Sequence, residues 1–155
     1  MPRSYEDKIK EQAQAYLDAE EHVIAAFIAQ PRGATTANVG GLGPASIGRR
    51  KISQQKRAAE QAGLQMANPM ALALTETRLL VLSVSKPIAL GKGGDVNGLV
   101  SAVPLSDVDS IEIKRLLAGK IVIVTVRGAA IKLEAGSGAN ARGLADEFAR
   151  ARTTA

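Results

Sequence analysis

The residues of this sequence that could do chemistry are cations gathered in one stretch. Six arginine and lysine side chains lie between Pro31 and Met70, where the only acid is Glu60. Guanidinium and ammonium groups bind phosphate and carboxylate oxygens through charge-assisted hydrogen bonds. The sequence therefore predicts a surface that faces an anion, and its candidate binding residues are Arg32, Arg49, Arg50, Lys51, Lys56 and Arg57.

A plainer interpretation of this basic run competes with the first. A solvated surface helix, partly neutralised by the acids of the segment Glu6 to Glu21, would carry the same charges without any partner. Residues 1–30 have a net charge of −3, and residues 31–70 have a net charge of +5. The run lacks the apolar face of an interfacial helix, so any attachment to lipid would be electrostatic and sensitive to salt.

Two other features carry weaker chemical signals. The segment Gly136 to Ala141 matches the glycine pattern of dinucleotide-binding turns, but no parallel strand and no acidic ribose ligand follow it, so a turn and helix cap is predicted instead. His22 is the only histidine, and we expect it at the surface rather than at a metal or as a general base. No coherent set of acid, base, nucleophile or metal ligands is present, which predicts a non-catalytic protein without a cofactor.

Composition limits the class of protein. A chain of 155 residues with 46% hydrophobic content is long enough for one domain with a real core. Aromatic residues make up only 3%, so there are few platforms on which nucleobases could stack. The absence of cysteine is compatible with a reducing compartment, and no signal-peptide core or membrane-length apolar run is present. These features predict a cytoplasmic protein.

The N-terminal half of the chain is predicted to contain a helix, a strand and a long insertion. Residues 4–19 carry apolar side chains at helical spacing and acids in the first turn. Residues 22–29 form an apolar run of strand length that a Pro-Arg-Gly breaker ends. Residues 34–63 are predicted as a flexible glycine-rich loop and then a basic helix, which Gly63 stops.

The stretch around which the rest is organised is Met70 to Val84, where two apolar runs flank the polar sequence Thr75-Glu76-Thr77-Arg78. This pattern predicts an antiparallel hairpin over 70–74 and 79–84. Because Asn-Gly and Asp-Gly are absent, a four-residue loop around a type I turn fits better than a two-residue I′ turn, with the Thr75 hydroxyl binding the backbone.

The remaining runs predict four more strands and a closing helix. Ser106 to Asp109 resembles a capped single turn between two of these strands. No helix separates the last six strands, so the sheet should be mainly antiparallel and should close into a barrel or sandwich with the helix at one end. The predicted strands cover 99–103, 110–115, 120–127 and 130–135, and the helix covers 140–152.

Several of these segments resemble the bacterial members of the pleckstrin-homology-like (PH-like) superfamily over roughly Met70 to Arg152. The resemblance implies a seven-stranded antiparallel barrel or sandwich capped by a C-terminal helix, here with an N-terminal helix and a helical insertion between strands 1 and 2. It also implies a single-domain binding or assembly scaffold over 1–155 rather than an enzyme. The similar segments are LALTETRLLVL, VPLSDVDSIEIK, KIVIVTVRGAAIKLEAG and ANARGLADEFARA.

In lipid-binding relatives, the loop between the first two strands grips phosphate head groups with spaced lysines and arginines. The corresponding connection here, Pro31 to Asn68, is far longer and places its cations on a predicted helix, so no head-group site is transferred. The expected partner is a protein or an anionic lipid surface at the inner face of the membrane. Non-specific nucleic-acid binding through the same segment is the disfavoured alternative, and exposed strand edges allow a homo-oligomer.

Overall fold

Seven strands form one antiparallel sheet in the computed structural model, which describes residues 5–31, 57, 60, 63–67, 69–85, 95–115, 119–135 and 140–154. The described strands confirm every predicted one, with the first, fourth and fifth extending further than expected. Two helices flank them, α1 (Tyr5–Ala13) and α2 (Ala141–Thr154). The strands are β1 (Val23–Pro31), β2 (Met70–Thr75), β3 (Arg78–Val84), β4 (Val96–Pro104), β5 (Val108–Arg115), β6 (Lys120–Val126) and β7 (Ala129–Ala135).

The strand order is β4-β3-β2-β1-β7-β6-β5, with β1 as the strand that joins two halves. β1 pairs with β2 from Val23 to Ala29, but it pairs with β7 only from Ala29 to Pro31. The strands β2 and β7, which begin the two halves of the sheet, therefore pair with largely different parts of β1. Within the described strands β4 and β5 have no ladder between them, and the 3-10 turn Leu105–Asp107 connects them.

The interior of the curved sheet is filled by aliphatic side chains from both halves and by one face of α2. Phe27 of β1, Leu72 of β2 and Val124 of β6 are buried there together with Leu144 and Phe148 of α2. Burial of such side chains is the main favourable term in folding, and it explains how a chain with so few aromatic residues builds a core. The predicted closing helix is thus part of the core.

The outer face of β1, β2 and β3 is also buried, because α1 packs across it. Ile9 and Ala13 of α1 belong to one apolar cluster with Leu80 and Leu82 of β3. The predicted packing role of the N-terminal helix is confirmed. The α-helix ends earlier than predicted, because a 3-10 turn follows Ala13, and Tyr16 is 38% exposed, although Leu17 still packs against the cluster.

The β2–β3 hairpin turns as the sequence predicted. The last pair of the β2–β3 ladder is Leu74 with Leu79, which leaves a four-residue loop. The Thr75 hydroxyl oxygen accepts hydrogen bonds from the backbone N–H groups of Thr77 (3.2 Å) and Arg78 (3.0 Å). A short side chain thus supplies the acceptor that organises the turn.

The predicted capping of the turn between β4 and β5 was wrong. The 3-10 turn Leu105–Asp107 has no side-chain cap, so Ser106 does not act as one. Asp109 already belongs to β5, and its carboxylate instead accepts the backbone N–H of Gly128 across the sheet (2.8 Å). The hydrogen bond from Gly128 to Asp109 therefore forms in place of the predicted local cap.

The cap predicted for the last helix is present. Asn140 precedes α2, and its side-chain oxygen accepts the backbone N–H of Gly143 at 3.2 Å. This bond satisfies one of the N–H groups that the first turn of any helix leaves without an intrahelical partner. The described part of the glycine-containing segment therefore behaves as a helix cap.

Candidate functional site

The structure describes one of the six predicted binding residues. Arg57 has a helical backbone and an exposed side chain, as the sequence predicted for the basic insertion. The other five, which are Arg32, Arg49, Arg50, Lys51 and Lys56, lie outside the described residues.

The C-terminal end of the insertion is anchored in the body of the domain. Gly63 has a φ of +79° and its N–H donates to the Glu60 carbonyl at 3.0 Å, which is typical of a glycine that ends a helix and confirms the predicted stop. Leu64 is only 3% exposed and lies in the interior core, with Met66 and Ala67 packed against it. Arg57 therefore projects from a segment whose end is fixed to the sheet.

A buried acid in the preceding segment is held by the β2–β3 turn. Glu21 is 7% exposed, and its carboxylate accepts two hydrogen bonds from the Arg78 guanidinium, from Nε at 2.9 Å and from Nη2 at 2.6 Å. The hydroxyls of Thr75 (2.7 Å) and Thr77 (3.1 Å) donate to the same carboxylate. We call these four residues the Glu21 cluster.

The sequence reasoning missed the Glu21 cluster. Its only local signal is the turn Thr75-Glu76-Thr77-Arg78, which offers three side-chain donors where a hairpin needs only one acceptor. The cluster carries no orphaned polar group, since the described residues contain no buried side-chain nitrogen or oxygen without a hydrogen-bond partner. Its chemistry is structural, because both oxygens of the Glu21 carboxylate accept hydrogen bonds from donors of this chain.

Hydrogen bonds set the charge state of both acids at this end of the sheet. The hydrogen bonds from Arg78 lower the pKa of Glu21 from 4.5 to about 2, against an opposing effect of burial. Burial would raise the pKa of Glu76, but hydrogen bonds from His22 lower it overall. The His22 backbone N–H donates to Glu76 at 2.9 Å, and the exposed imidazole Nδ1 lies 3.5 Å from the same carboxylate.

The predicted surface position of His22 is confirmed, because its side chain is exposed. Within the described residues no three histidine, cysteine, aspartate or glutamate side chains converge in a way that could hold a metal ion. No helix in the same part of the chain is both long enough and apolar enough to span a bilayer.

The Glu21 cluster predicts a dependence of stability on pH. Because the pKa of Glu21 is lower in the folded protein than in the unfolded chain, its contribution is present above about pH 4.5 and is lost as the pH falls toward 2. We expect the free energy of unfolding, followed by circular dichroism in urea, to fall by about 2 to 3 kcal/mol over this range. The variant E21Q should lose most of this slope, and a variant with the same slope as the wild type would contradict the assignment.

The strand order, the central β1 and the closing α2 fit a PH-like fold. No protein-family model matches the sequence, and no curated protein matches it. Among solved structures, the chain is similar to the crystal structure of a DUF1696 family protein with a pleckstrin-homology domain from Shewanella loihica PV-4. That likeness has 13% identity and a TM-score of 0.46, and it covers 96% of this chain and 97% of the other. The fold assignment therefore rests on the ladders and helices of this chain itself.

Proposed function

We propose that this chain is a non-catalytic PH-like binding or assembly module that engages an anionic membrane surface or an acidic protein through its basic insertion. The supporting observation concerns the acids that would otherwise neutralise the insertion. Two of them, Glu6 and Glu21, are bound by groups of the domain body.

Glu6 illustrates how such an acid is engaged within the domain. Its carboxylate accepts hydrogen bonds from the side-chain amide of Asn140 at 2.7 Å and from the backbone N–H of Ala26 at 3.3 Å. It also lies 3.6 Å from the ammonium group of Lys10. Glu21 is held by Arg78 and two threonines. Two acids of the segment Glu6 to Glu21, which was expected to neutralise the insertion, therefore hold α1 and the β2–β3 turn in place.

Residues 31–70 carry a net charge of +5, and this excess can act on other molecules. A cation close to an anionic bilayer contributes about 1 kcal/mol of attraction, and this attraction decays within a Debye length of about 8 to 10 Å. Six cations in one connection would therefore give binding that is strong at low salt and weak at high salt. An acidic protein surface offers the same carboxylate chemistry and the same dependence on salt.

The test compares two variants with the same change in net charge. The first, R49Q/R50Q/K51Q, removes three cations of the insertion, and the second, K114Q/R115Q/R142Q, removes three exposed cations of β5 and α2. Sedimentation with vesicles of phosphatidylglycerol and phosphatidylcholine at about 0.1 M salt measures binding. We expect the first variant to lose at least tenfold in affinity for the anionic vesicles and the second to lose less than threefold.

Further arms of the experiment separate the possible partners. Binding to polyglutamate but not to vesicles would support an acidic protein partner, whereas binding to vesicles alone would support a membrane. Equal losses for the two variants would contradict the role of the insertion, since only total charge would then matter. Salt-dependent retardation of RNA that exceeds binding to both anionic probes would favour the nucleic-acid alternative.

A further inference from the structure

The turn between β6 and β7 contains an unusual residue. Only Arg127 and Gly128 lie between the two strands, and both have positive φ angles, +49° and +83°. Two consecutive residues with positive φ in a two-residue hairpin loop are typical of a type I′ turn, which favours Asn-Gly or Gly-Gly. Arginine is an unfavourable choice at the first of these positions because its Cβ crowds the backbone there. Arg127 is the one non-glycine residue with positive φ among the described residues.

The side chain of Arg127 provides a reason for this choice. Its Nη2 donates to the Asp107 carboxylate at 2.6 Å, and its backbone N–H donates to the Asp107 carbonyl at 3.1 Å. The next N–H, of Gly128, donates to the Asp109 carboxylate at 2.8 Å. Two hydrogen bonds therefore join the β6–β7 turn to the connection between β4 and β5, and a third joins it to the start of β5.

The other side of the same guanidinium lies against the end of the basic insertion. A Cβ atom built on Gly63 would collide with Nη1 of Arg127, so the guanidinium passes directly over the glycine backbone. Gly63 follows the helical residues Arg57 and Glu60, and a cation at this end complements the partial negative charge of helix carbonyls. The Arg127 side chain thus contacts both Asp107 and Gly63, the residue that ends the insertion.

We propose that Arg127 is a positioning residue that clamps Gly63, at the end of the basic insertion, to the β4–β5 connection and thereby sets the direction of the segment that carries Arg57. The effect of the clamp on partner binding rests on the proposed function, whereas the clamp itself is a set of contacts within the folded chain. A clamp made of one guanidinium, one carboxylate and one glycine joins three parts of the chain that are distant in sequence.

The clamp can be tested by a distance measurement, because the chain contains no cysteine and so accepts a clean pair of labels. Spin labels on E60C and D146C, both exposed positions, report the distance between the insertion and α2 by pulsed electron resonance. The variant R127N removes the guanidinium and places a residue that tolerates positive φ in the turn. We expect a broader distance distribution, a melting temperature within about 3 °C of the wild type and a three- to tenfold loss of affinity for phosphatidylglycerol vesicles.

Matched controls make the outcome specific. R142N makes the same charge change at an exposed site on α2 and should alter neither the distances nor the affinity. D107N tests the clamp without touching the turn and should broaden the distribution as R127N does.

The two inferences fail in different ways. An unchanged distance distribution in R127N and D107N would overturn the clamp, whatever the affinities are. A broader distribution together with a wild-type protein that binds neither vesicles nor polyglutamate would confirm the clamp and overturn the proposed function. A broader distribution with unchanged affinity would overturn the effect of the clamp on partner binding.

Discussion

Replacing Arg78 with methionine is expected to lower the free energy of unfolding by about 3 kcal/mol at pH 7. The guanidinium of Arg78 provides two of the four hydrogen bonds that the described residues donate to the Glu21 carboxylate, and it is the only cation among these donors. Methionine keeps much of the volume of the arginine stem but leaves a buried carboxylate without its counter-charge. An uncompensated buried charge is one of the few defects that produce effects of this size.

Urea unfolding followed by far-ultraviolet circular dichroism measures the loss, with R142M as the control. Arg142 is exposed on α2, so R142M should change stability by less than about 0.5 kcal/mol. The double variant E21Q/R78M should lose less than R78M alone, because the glutamine is neutral and can still accept hydrogen bonds from the two threonines. If R78M and R142M were equally stable, the Glu21 cluster would contribute nothing to the fold.

The second large effect is expected at Leu64, although this residue directly follows the insertion. Leu64 is 3% exposed and packs in the core between the sheet and α2, so L64A should destabilise the protein by about 2 to 4 kcal/mol. The cost has two physical parts, the lost burial of the side chain and the cavity that remains. The same urea experiment measures it.

Leu99 offers a matched control for Leu64. It is the same residue type, but it lies on the edge strand β4 and is 37% exposed, so L99A should cost less than about 1 kcal/mol. A loss for L64A no larger than that for L99A would mean that the segment after Gly63 does not belong to the core. The insertion would then end in a free linker, and the clamp at Arg127 would have nothing to hold.

Much of the architecture was predictable because its signals are local. The β2–β3 hairpin follows from two apolar runs and a threonine that can bind its own turn, and the structure confirms both. Gly63 was predicted as a helix stop because a residue without Cβ adopts positive φ at little cost, and its φ is +79°. The last helix was predicted over 140–152, and its Leu144 and Phe148, four positions apart, are both buried in the core.

The prediction of local contacts failed where a side chain can bind either a neighbour in sequence or a residue far along the chain. The pattern Ser106 to Asp109 favoured a local cap, but Asp109 binds Gly128, which is 19 positions away. Tyr16 continued the apolar spacing of the first helix, but the α-helix gives way to a 3-10 turn after Ala13 and Tyr16 is exposed. Periodicity shows which side chains could be buried, but the extent of the neighbouring element determines how many are.

The amino-acid sequence by itself determined the order and type of the elements and the separation of acidic from basic segments, because both depend on residues close together in the chain. Only the tertiary structure decided that Glu21 binds Arg78, 57 positions away, and that Arg127 joins Asp107 to Gly63. Each of these contacts joins turns or segment ends that only the folded sheet brings together. The energy of such a contact is absent until the sheet has formed, so no local pattern of residues records it.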